Sequence, residues 1–251
     1  MSGAHWIGGA GAIFRRELRA YFLSPTAYVV LCFLLIANGI AFAMILSILN
    51  DPLAQPGRPL DFFFSGVFYW IVVITAAPLL TMRLVAEERR SGTFEMLATA
   101  PVSEGQIVAG KYCAALVFYA FLWLPTLTYA VIVAFHSELD WGSVAGGYLG
   151  VFLVGALFLA VGLFASALTA NQIIAAVMSF AILLALFCVG FLEWFVNTPW
   201  LREAAGYLSM INHMEELAKG IVDTRRPVFY VSTTLFVLFL TGRALEAGRG
   251  R

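Results

Sequence analysis

The stretch WGSVAGGYLGVFLVGALFLAVGLFASALTANQIIAAVMSFAILLALFCVGFL, Trp141–Leu192, runs for 52 residues without an Asp, Glu, Lys or Arg. A helix rises 1.5 Å per residue, so about 20 apolar residues cross a hydrocarbon core of about 30 Å. The stretch is therefore long enough for two crossings and a turn. Its one polar cluster, Thr169-Ala170-Asn171-Gln172, places the turn. Working outward, the charge-free runs Ala20–Asn50 (31 residues), Phe62–Met82 (21) and Tyr112–Phe135 (24) each hold one further span. Pro227–Gly242 has only 16 residues and must recruit its flanks or meet a thinner bilayer. The expectation is an all-α integral membrane protein with spans at about 25–49, 62–83, 106–134, 143–168, 173–193 and 226–244. Residues 1–251 form one membrane domain, with no separate soluble domain and no internal repeat.

Composition supports this. Of 251 residues, 61% are hydrophobic and 12% charged, against about 25% charged in soluble domains. Mean hydropathy is +0.89. Fifteen Lys/Arg balance fifteen Asp/Glu, which argues against a nucleic-acid partner. The long apolar runs lack strand alternation, which excludes a β-barrel, and backbone in lipid must bond internally. Cys32, Cys113 and Cys188 are in or beside apolar runs and form no CxxC, so they read as buried free thiols. The first Arg is Arg15, and the apolar run behind it is too long for a signal peptide.

Six spans put both termini on one side. That side carries Arg15, Arg16, Arg19, Arg83, Arg89, Arg90, Lys111, Arg243, Arg249 and Arg251; the other carries Arg58, Arg202, Lys219, Arg225 and Arg226. Ten against five places the termini in the cytoplasm.

Residues 13–23 read as an interfacial amphipathic helix. Phe14, Leu18, Tyr21 and Phe22 share one face, and Arg15, Arg16 and Arg19 the other. It is either a docking helix or a topology anchor. Ser24-Pro25 then starts a fresh helix. Between spans two and three the chain reads Glu87-Glu88-Arg89-Arg90-Ser91-Gly92-Thr93-Phe94-Glu95-Met96-Leu97-Ala98-Thr99-Ala100-Pro101-Val102-Ser103. Gly92 fits a helix stop, Thr93 a new cap, and Phe94, Met96 and Leu97 apolar knobs around Glu95. Pro101 interrupts this short helix. Ser103 and Gln106 form a capping box, with Val102 and Ile107 at the staple positions. The loop is either a rigid lever at the cytoplasmic face or an ordinary ordered connection. On the outer side, Thr198-Pro199, Asn212-x-x-Glu215 and Gly220 predict short helices near 199–208 and 213–219. They read as a cap or re-entrant hairpin, or as a loop lying on the interface, with Trp194, Phe195 and Trp200 in the aromatic belt.

Two motifs are look-alikes. Gly105–Lys111 matches seven positions of a P-loop, but Tyr112 replaces the Mg²⁺-binding hydroxyl and a capping box precedes it instead of a strand. His136-Ser-Glu138-Leu-Asp140 aligns its ligands only on an extended segment and reads as a solvated turn. The polar inventory inside the spans is thin, with Asn38 in span one, Thr75 in span two and Thr126 and Thr128 in span three; no Asp, Glu, Lys or Arg is mid-span. That argues against a proton relay or charged filter. Asn38 reads as a bond across a helix interface before a path-lining group. Gly142, Gly146 and Gly150 form two GxxxG steps, for packing within the bundle first and a dimer seam second. Pro78 and Pro125 mark kinks in spans two and three.

The span count and the loop Glu87-Glu88-Arg89-x-x-Gly92-Thr93-x-Glu95-x-Leu97, followed by Pro101-Val102-Ser103 and Gly110-Lys111, resemble the permease subunit of type-2 ABC exporters over nearly the whole chain. Phe14-Arg15-Arg16-Glu17-Leu18, Tyr21-Phe22-x-Ser24-Pro25 and Gly220-Ile-Val-Asp-Thr-Arg225 resemble the gliding-motility-associated members. The resemblance implies a permease that is not itself an enzyme and binds no cofactor. A separate ABC ATPase subunit would use ATP and Mg²⁺. A coupling helix at 93–99 would dock into that ATPase through Glu87, Glu88, Arg89, Gly92, Thr93, Phe94, Glu95, Met96, Leu97 and Pro101. Phe94 stands where many relatives carry Leu, which suggests a matched cleft. Phe14, Arg15, Arg16, Leu18, Arg19 and Phe22 would belong to an interface helix beside it. A second permease subunit, the same chain or another, would complete a path lined by spans one, two and five. A periplasmic-domain membrane protein is a further implied partner. The location would be the bacterial inner membrane. Two rival readings are a non-transporting scaffold and an intramembrane enzyme; one membrane protease family uses Glu-Glu-x-x-x-Arg, but Gly92 occupies the sixth position.

Overall fold

The computed structural model describes residues 3–51, 57–93, 103–195 and 198–249, with no strand among them. Twelve α-helices can be numbered along these residues: α1 Gly3–Leu23, α2 Pro25–Leu49, α3 Pro59–Ser65, α4 Val67–Thr81, α5 Ala86–Arg90, α6 Glu104–Trp123, α7 Leu127–His136, α8 Trp141–Leu168, α9 Gln172–Phe195, α10 Pro199–Leu208, α11 Met210–Ala218 and α12 Arg225–Arg249. Six stretches are long and apolar enough to cross a membrane: Pro25–Leu49, Val67–Arg90, Glu104–His136, Trp141–Leu168, Gln172–Glu193 and Arg225–Ala247.

Several boundaries differ from the sequence expectation, each for a local reason. The first helix starts at Gly3, not near 13. Its Gly/Ala-rich turns lie close against α6: a Cβ on Gly9 would meet the Gln106 amide, and one on Gly110 would meet the Ala10 carbonyl and Ile13. Span two is not one helix. It changes direction at Gly66, whose ψ is 156°, and again at 82–85, beyond the internal Pro78. Span three breaks at a 3₁₀ turn, Leu124–Thr126, containing Pro125. The sixth helix takes the first of its two expected courses and recruits its flanks. It has 25 residues because it continues through Arg225, Arg226, Arg243 and Glu246. The second outer helix starts at Met210, since the Ser209 hydroxyl caps it by accepting from the Asn212 amide; Asn212 is not the cap. Gly220 has φ +78°, in keeping with a helix stop.

The core centres on α8. Seventy-eight per cent of its most apolar window is buried, against 28%, 22% and 22% for the windows in α2, α9 and α12. Missing side chains permit that density. Gly147 faces the Phe64 ring of α3, Gly155 the Tyr119 ring of α6, and Gly162 the Thr81 hydroxyl of α4; a Cβ at any of them would overlap the neighbour. The Gly142–Gly150 stripe seats α11. A Cβ on Gly146 would strike the Leu217 carbonyl, and one on Gly150 the Met214 sulfur. The GxxxG steps thus serve packing within the bundle, against α11.

The less buried helices show Val29, Ile36, Ile40, Ile173, Val177, Leu235 and Phe239 on their surfaces. Cys32 on α2, Cys113 on α6 and Cys188 on α9 are also exposed, contrary to the buried reading. Asn38 is fully buried and neither end of its amide has a hydrogen-bond partner, so it makes no bond across a helix interface.

Candidate functional site

Span two carries irregular backbone at 82–85, between α4 and α5. Buried backbone of that kind persists only when its N–H and C=O groups are bonded. Residues 81–86 meet that condition through side chains from three helices. The Tyr21 hydroxyl of α1 donates to the Leu80 carbonyl at 2.7 Å. The Lys111 ammonium of α6 donates to the Leu84 carbonyl at 2.7 Å. The Ser166 hydroxyl of α8 donates to the Met82 carbonyl at 2.9 Å and accepts from the Val85 and Ala86 amides at 3.1 and 3.0 Å. Arg83 turns away to Ser24 and Thr26, at 2.6 and 3.0 Å, and stands over the Tyr21 ring.

An ion cluster adjoins this break. Lys111 is 2.9 Å from both Glu17 of α1 and Glu88 of α5. Arg16 reaches the same two carboxylates at 2.7 and 2.5 Å. The Lys111 side chain is 1% exposed and the Arg16 side chain 53%. One cation is therefore buried and the other forms a lid. Burial alone would raise the Glu17 pKa, but Lys111 and Arg16 outweigh it and hold the carboxyl below its usual value. Burial likewise opposes the Arg16 charge, and Glu17 and Glu88 outweigh it, so Arg16 titrates above its usual value. Two cations against two anions, with the remaining donor used by a carbonyl, is an arrangement in which a buried charge is tolerated.

The other sequence-predicted residues fall around this cluster. Ile13 and Tyr21 of α1 are buried, and Phe14, Leu18 and Phe22 pack against the core. Tyr21 stacks on Phe118 at 4.9 Å, and Phe22 meets Phe118 and Phe121 edge-on. Arg15, Arg16 and Arg19 are exposed. Glu87 is exposed and Glu88 and Arg89 are half-buried. Gly92 adopts φ +72°, a conformation that suits glycine. Thr93 is exposed and its hydroxyl is 2.8 Å from that of Ser91. Phe94, Glu95, Met96, Leu97 and Pro101, with most of the 93–99 helix, lie outside the described residues. A cavity of about 460 Å³ opens beside the cluster, lined by residues including Arg16, Glu17, Arg83, Glu87, Glu88 and Thr93.

Sequence reasoning missed Glu17, Lys111 and Ser166 as a joint. In the sequence Lys111 counts toward the basic side, closes the P-loop look-alike and belongs to the Gly110-Lys111 pair of the resemblance, none of which pairs it with Glu17. In the structure residues 105–111 are turns of α6, with Ser103 and Gln106 capping its start, so no phosphate cradle exists there.

The α10–α11 end has its own polar cluster. His213 of α11 is 1% exposed. Its Nε2 is 2.8 Å from Arg226 and 3.0 Å from the Tyr207 carbonyl, and Nδ1 is 3.4 Å from the Tyr230 hydroxyl. Arginine only donates and a carbonyl only accepts, so Nε2 bonds one of the two according to the ring's tautomer. Burial first, then Arg226, pushes the His213 pKa down to about 4, which keeps the ring neutral. Arg226 in turn holds Glu216 through two bonds of 3.0 Å. Asp140 caps α8 through the Gly142 amide and pairs with Arg58 at 2.6 Å, which accounts for one member of the His136–Asp140 group without a metal. No group of His, Cys, Asp and Glu that could hold a metal occurs among the described residues.

The sequence model of the family described as ABC-2 family transporter protein matches residues 51–241. No curated protein matches the chain.

Proposed function

We propose that this chain, which belongs to the ABC-2 transporter family and is a membrane-spanning permease subunit of an ABC transporter, takes its driving force at the inner node from a separate ATPase subunit. The supporting observation is the welding of α1, α5 and α6 by Lys111, Glu17, Glu88 and Arg16, α5 and α6 being the helices that precede and follow the segment 93–103 in the chain. A push on that segment enters three helices together. Phe94, Met96 and Leu97 supply apolar anchors to the ATPase, and Glu87, Arg89 and Glu95 orient it; buried anchors dominate affinity and rim charges dominate steering.

The node faces the cytoplasm, in line with the Lys/Arg distribution, and the α10–α11 hairpin faces outward. The permease works as a pair, with the apolar faces of α2 and α9 meeting the second subunit or lipid. With no ionisable residue mid-span, the energy comes from nucleotide hydrolysis outside the bilayer, and the cargo moves outward across the bacterial inner membrane.

The test is co-purification of the chain with its ATPase, followed by ATP hydrolysis in lipid nanodiscs. Leu97→Asp leaves the permease in the membrane and abolishes stimulated hydrolysis. Normal stimulation by that variant refutes docking at 93–99.

A further inference from the structure

We propose that α8 is a strut coupling the inner break of span two to the outer α10–α11 hairpin, with Ser166 as the positioning residue at its inner joint; this rests on the permease reading above. Spans two and three are each interrupted, at Gly66 and 82–85 and at Leu124–Thr126. By contrast, α8 runs 28 residues without a proline or a break, about 42 Å at 1.5 Å per residue.

The outer end meets its neighbours backbone on backbone, and the inner end meets them through the short side chains of Thr81 and Ser166. At the inner end Gly162 lies against Thr81, and Ser166, one turn on, holds the Met82 carbonyl and the Val85 and Ala86 amides. At the outer end Gly146 lies under the Leu217 carbonyl, Gly150 under Met214, and Gly220 against the backbone of Gly142 and Ser143. The Ser143 hydroxyl lies between the Ala218 carbonyl and the Asp61 carboxylate, two acceptors that share its one hydrogen. Long side chains absorb a displacement by changing rotamer; backbone pressed on backbone does not.

The break also decides which helix carries a load. The Val85 and Ala86 amides are bonded to Ser166, so the helical ladder from α5 does not continue into α4. A displacement of α5 therefore enters α8 through Ser166. It leaves through the Gly142–Gly150 face into α11, which sits beside the His213–Arg226–Glu216 cluster. Two sites biased by one rigid element are coupled, and the coupling is reciprocal.

Amide hydrogen exchange on the full chain in lipid nanodiscs, without ATPase, tests this. Ser166→Ala should speed exchange at Val85 and Ala86 on the order of tenfold, because both amides lose their acceptor. It should also speed exchange across 210–218 by about fivefold, the low end of site-to-site coupling. Ser166→Thr retains the hydroxyl and should restore both regions to within about twofold of the unaltered chain. Ser232→Ala, on the lipid side of α12, is the control. Faster exchange at Val85 and Ala86 with 210–218 unchanged overturns the strut, as does a Thr variant no better than Ala. If Ser166→Ala fails to assemble, Gly146→Ala makes the reverse measurement: perturbing the outer seat must speed exchange at Val85 and Ala86, and unchanged rates there refute the coupling. Because no ATPase is present, failure here is separable from failure of docking.

Discussion

Replacing Lys111 by Met keeps the length of the side chain and removes its charge. The ammonium now meets Glu17 and Glu88 at 2.9 Å and the Leu84 carbonyl at 2.7 Å, with 1% of the side chain exposed. After substitution Arg16 alone faces two carboxylates, so the cluster goes from neutral to one net negative charge. Breaking a buried ion pair by removing one partner costs about 3–5 kcal/mol. Arg16 stays within 2.7 Å of both carboxylates and is half exposed, which sets the loss near the lower end, about 3 kcal/mol. For a chain of this size that is about 6–12 °C in Tm. The assay is thermal unfolding of the purified permease in nanodiscs, in a double-variant cycle. Glu17→Gln alone destabilises, because it leaves Lys111 short of a partner. Added to Lys111→Met it should recover about 1–2 kcal/mol, since it removes an uncompensated anion. A Lys111→Met protein melting within about 2 °C of the unaltered chain, or a double variant whose losses simply add, refutes the reading of this cluster as a mutually dependent unit.

Acid should loosen the same node. The Glu17 pKa lies below its ordinary 4.5 in the folded chain, so its contribution is complete above about pH 4.5 and is lost as pH falls through the lower folded value. Melting against pH should show the gap between the unaltered chain and Glu17→Gln closing below pH 4.5; a constant gap contradicts this. The outer hairpin should respond at a higher pH. His213 falls from an ordinary 6.5 to about 4 on folding, so its neutral form stabilises the hairpin fully above about pH 6.5 and progressively less as pH drops toward 4. Amide exchange across 210–218 should accelerate in that window, and His213→Gln should flatten the pH response; an unchanged slope would count against the burial-and-Arg226 account.

The number and type of spans were legible because each depends on a run of one sequence segment. The turn at Thr169–Asn171, the capping box at Ser103–Gln106 and the Gly92 and Gly220 stops were legible for the same reason. What stayed hidden depends on residues far apart in the chain. Tyr21 and Leu80 are 59 positions apart, Lys111 and Glu17 94, and Ser166 and Met82 84. Ser166 reads as one more small residue in an apolar run. Glu17 reads as an intruder on an arginine-rich helix face, although it is one of the two carboxylates that both cations share. The stripe Gly142–Gly150 was visible because its residues recur every four positions. Gly147, Gly155 and Gly162 recur at wider spacing, and each serves a different neighbour. A sharper reading had one available signal: Pro78 four residues before Met82, next to a charged Arg83 at the end of an apolar run, marks backbone that needs outside partners.

That need for partners explains why two glycines on one helix should differ in sensitivity. A Cβ at Gly155 would overlap the outer atoms of the Tyr119 ring, and one at Gly162 would overlap the Thr81 side chain near its own backbone. The Tyr119 ring can tilt at the expense of its 3.3 Å bond to the Val151 carbonyl. Thr81 is fully buried, and its hydroxyl is already committed to the Ala77 carbonyl at 2.7 Å, so α8 itself must retreat. Retreat pulls Ser166, four residues along the same face, away from one carbonyl and two amides. Overpacking alone costs about 1–3 kcal/mol, and each buried backbone group left dry adds about 1–3 kcal/mol. Gly162→Ala should therefore lower Tm by more than Gly155→Ala, and should by itself expose the Val85 and Ala86 amides to exchange, while Gly155→Ala leaves them protected. Equal losses, or protection retained at Val85 and Ala86 in Gly162→Ala, would mean that the break in span two is held by something other than its close approach to α8.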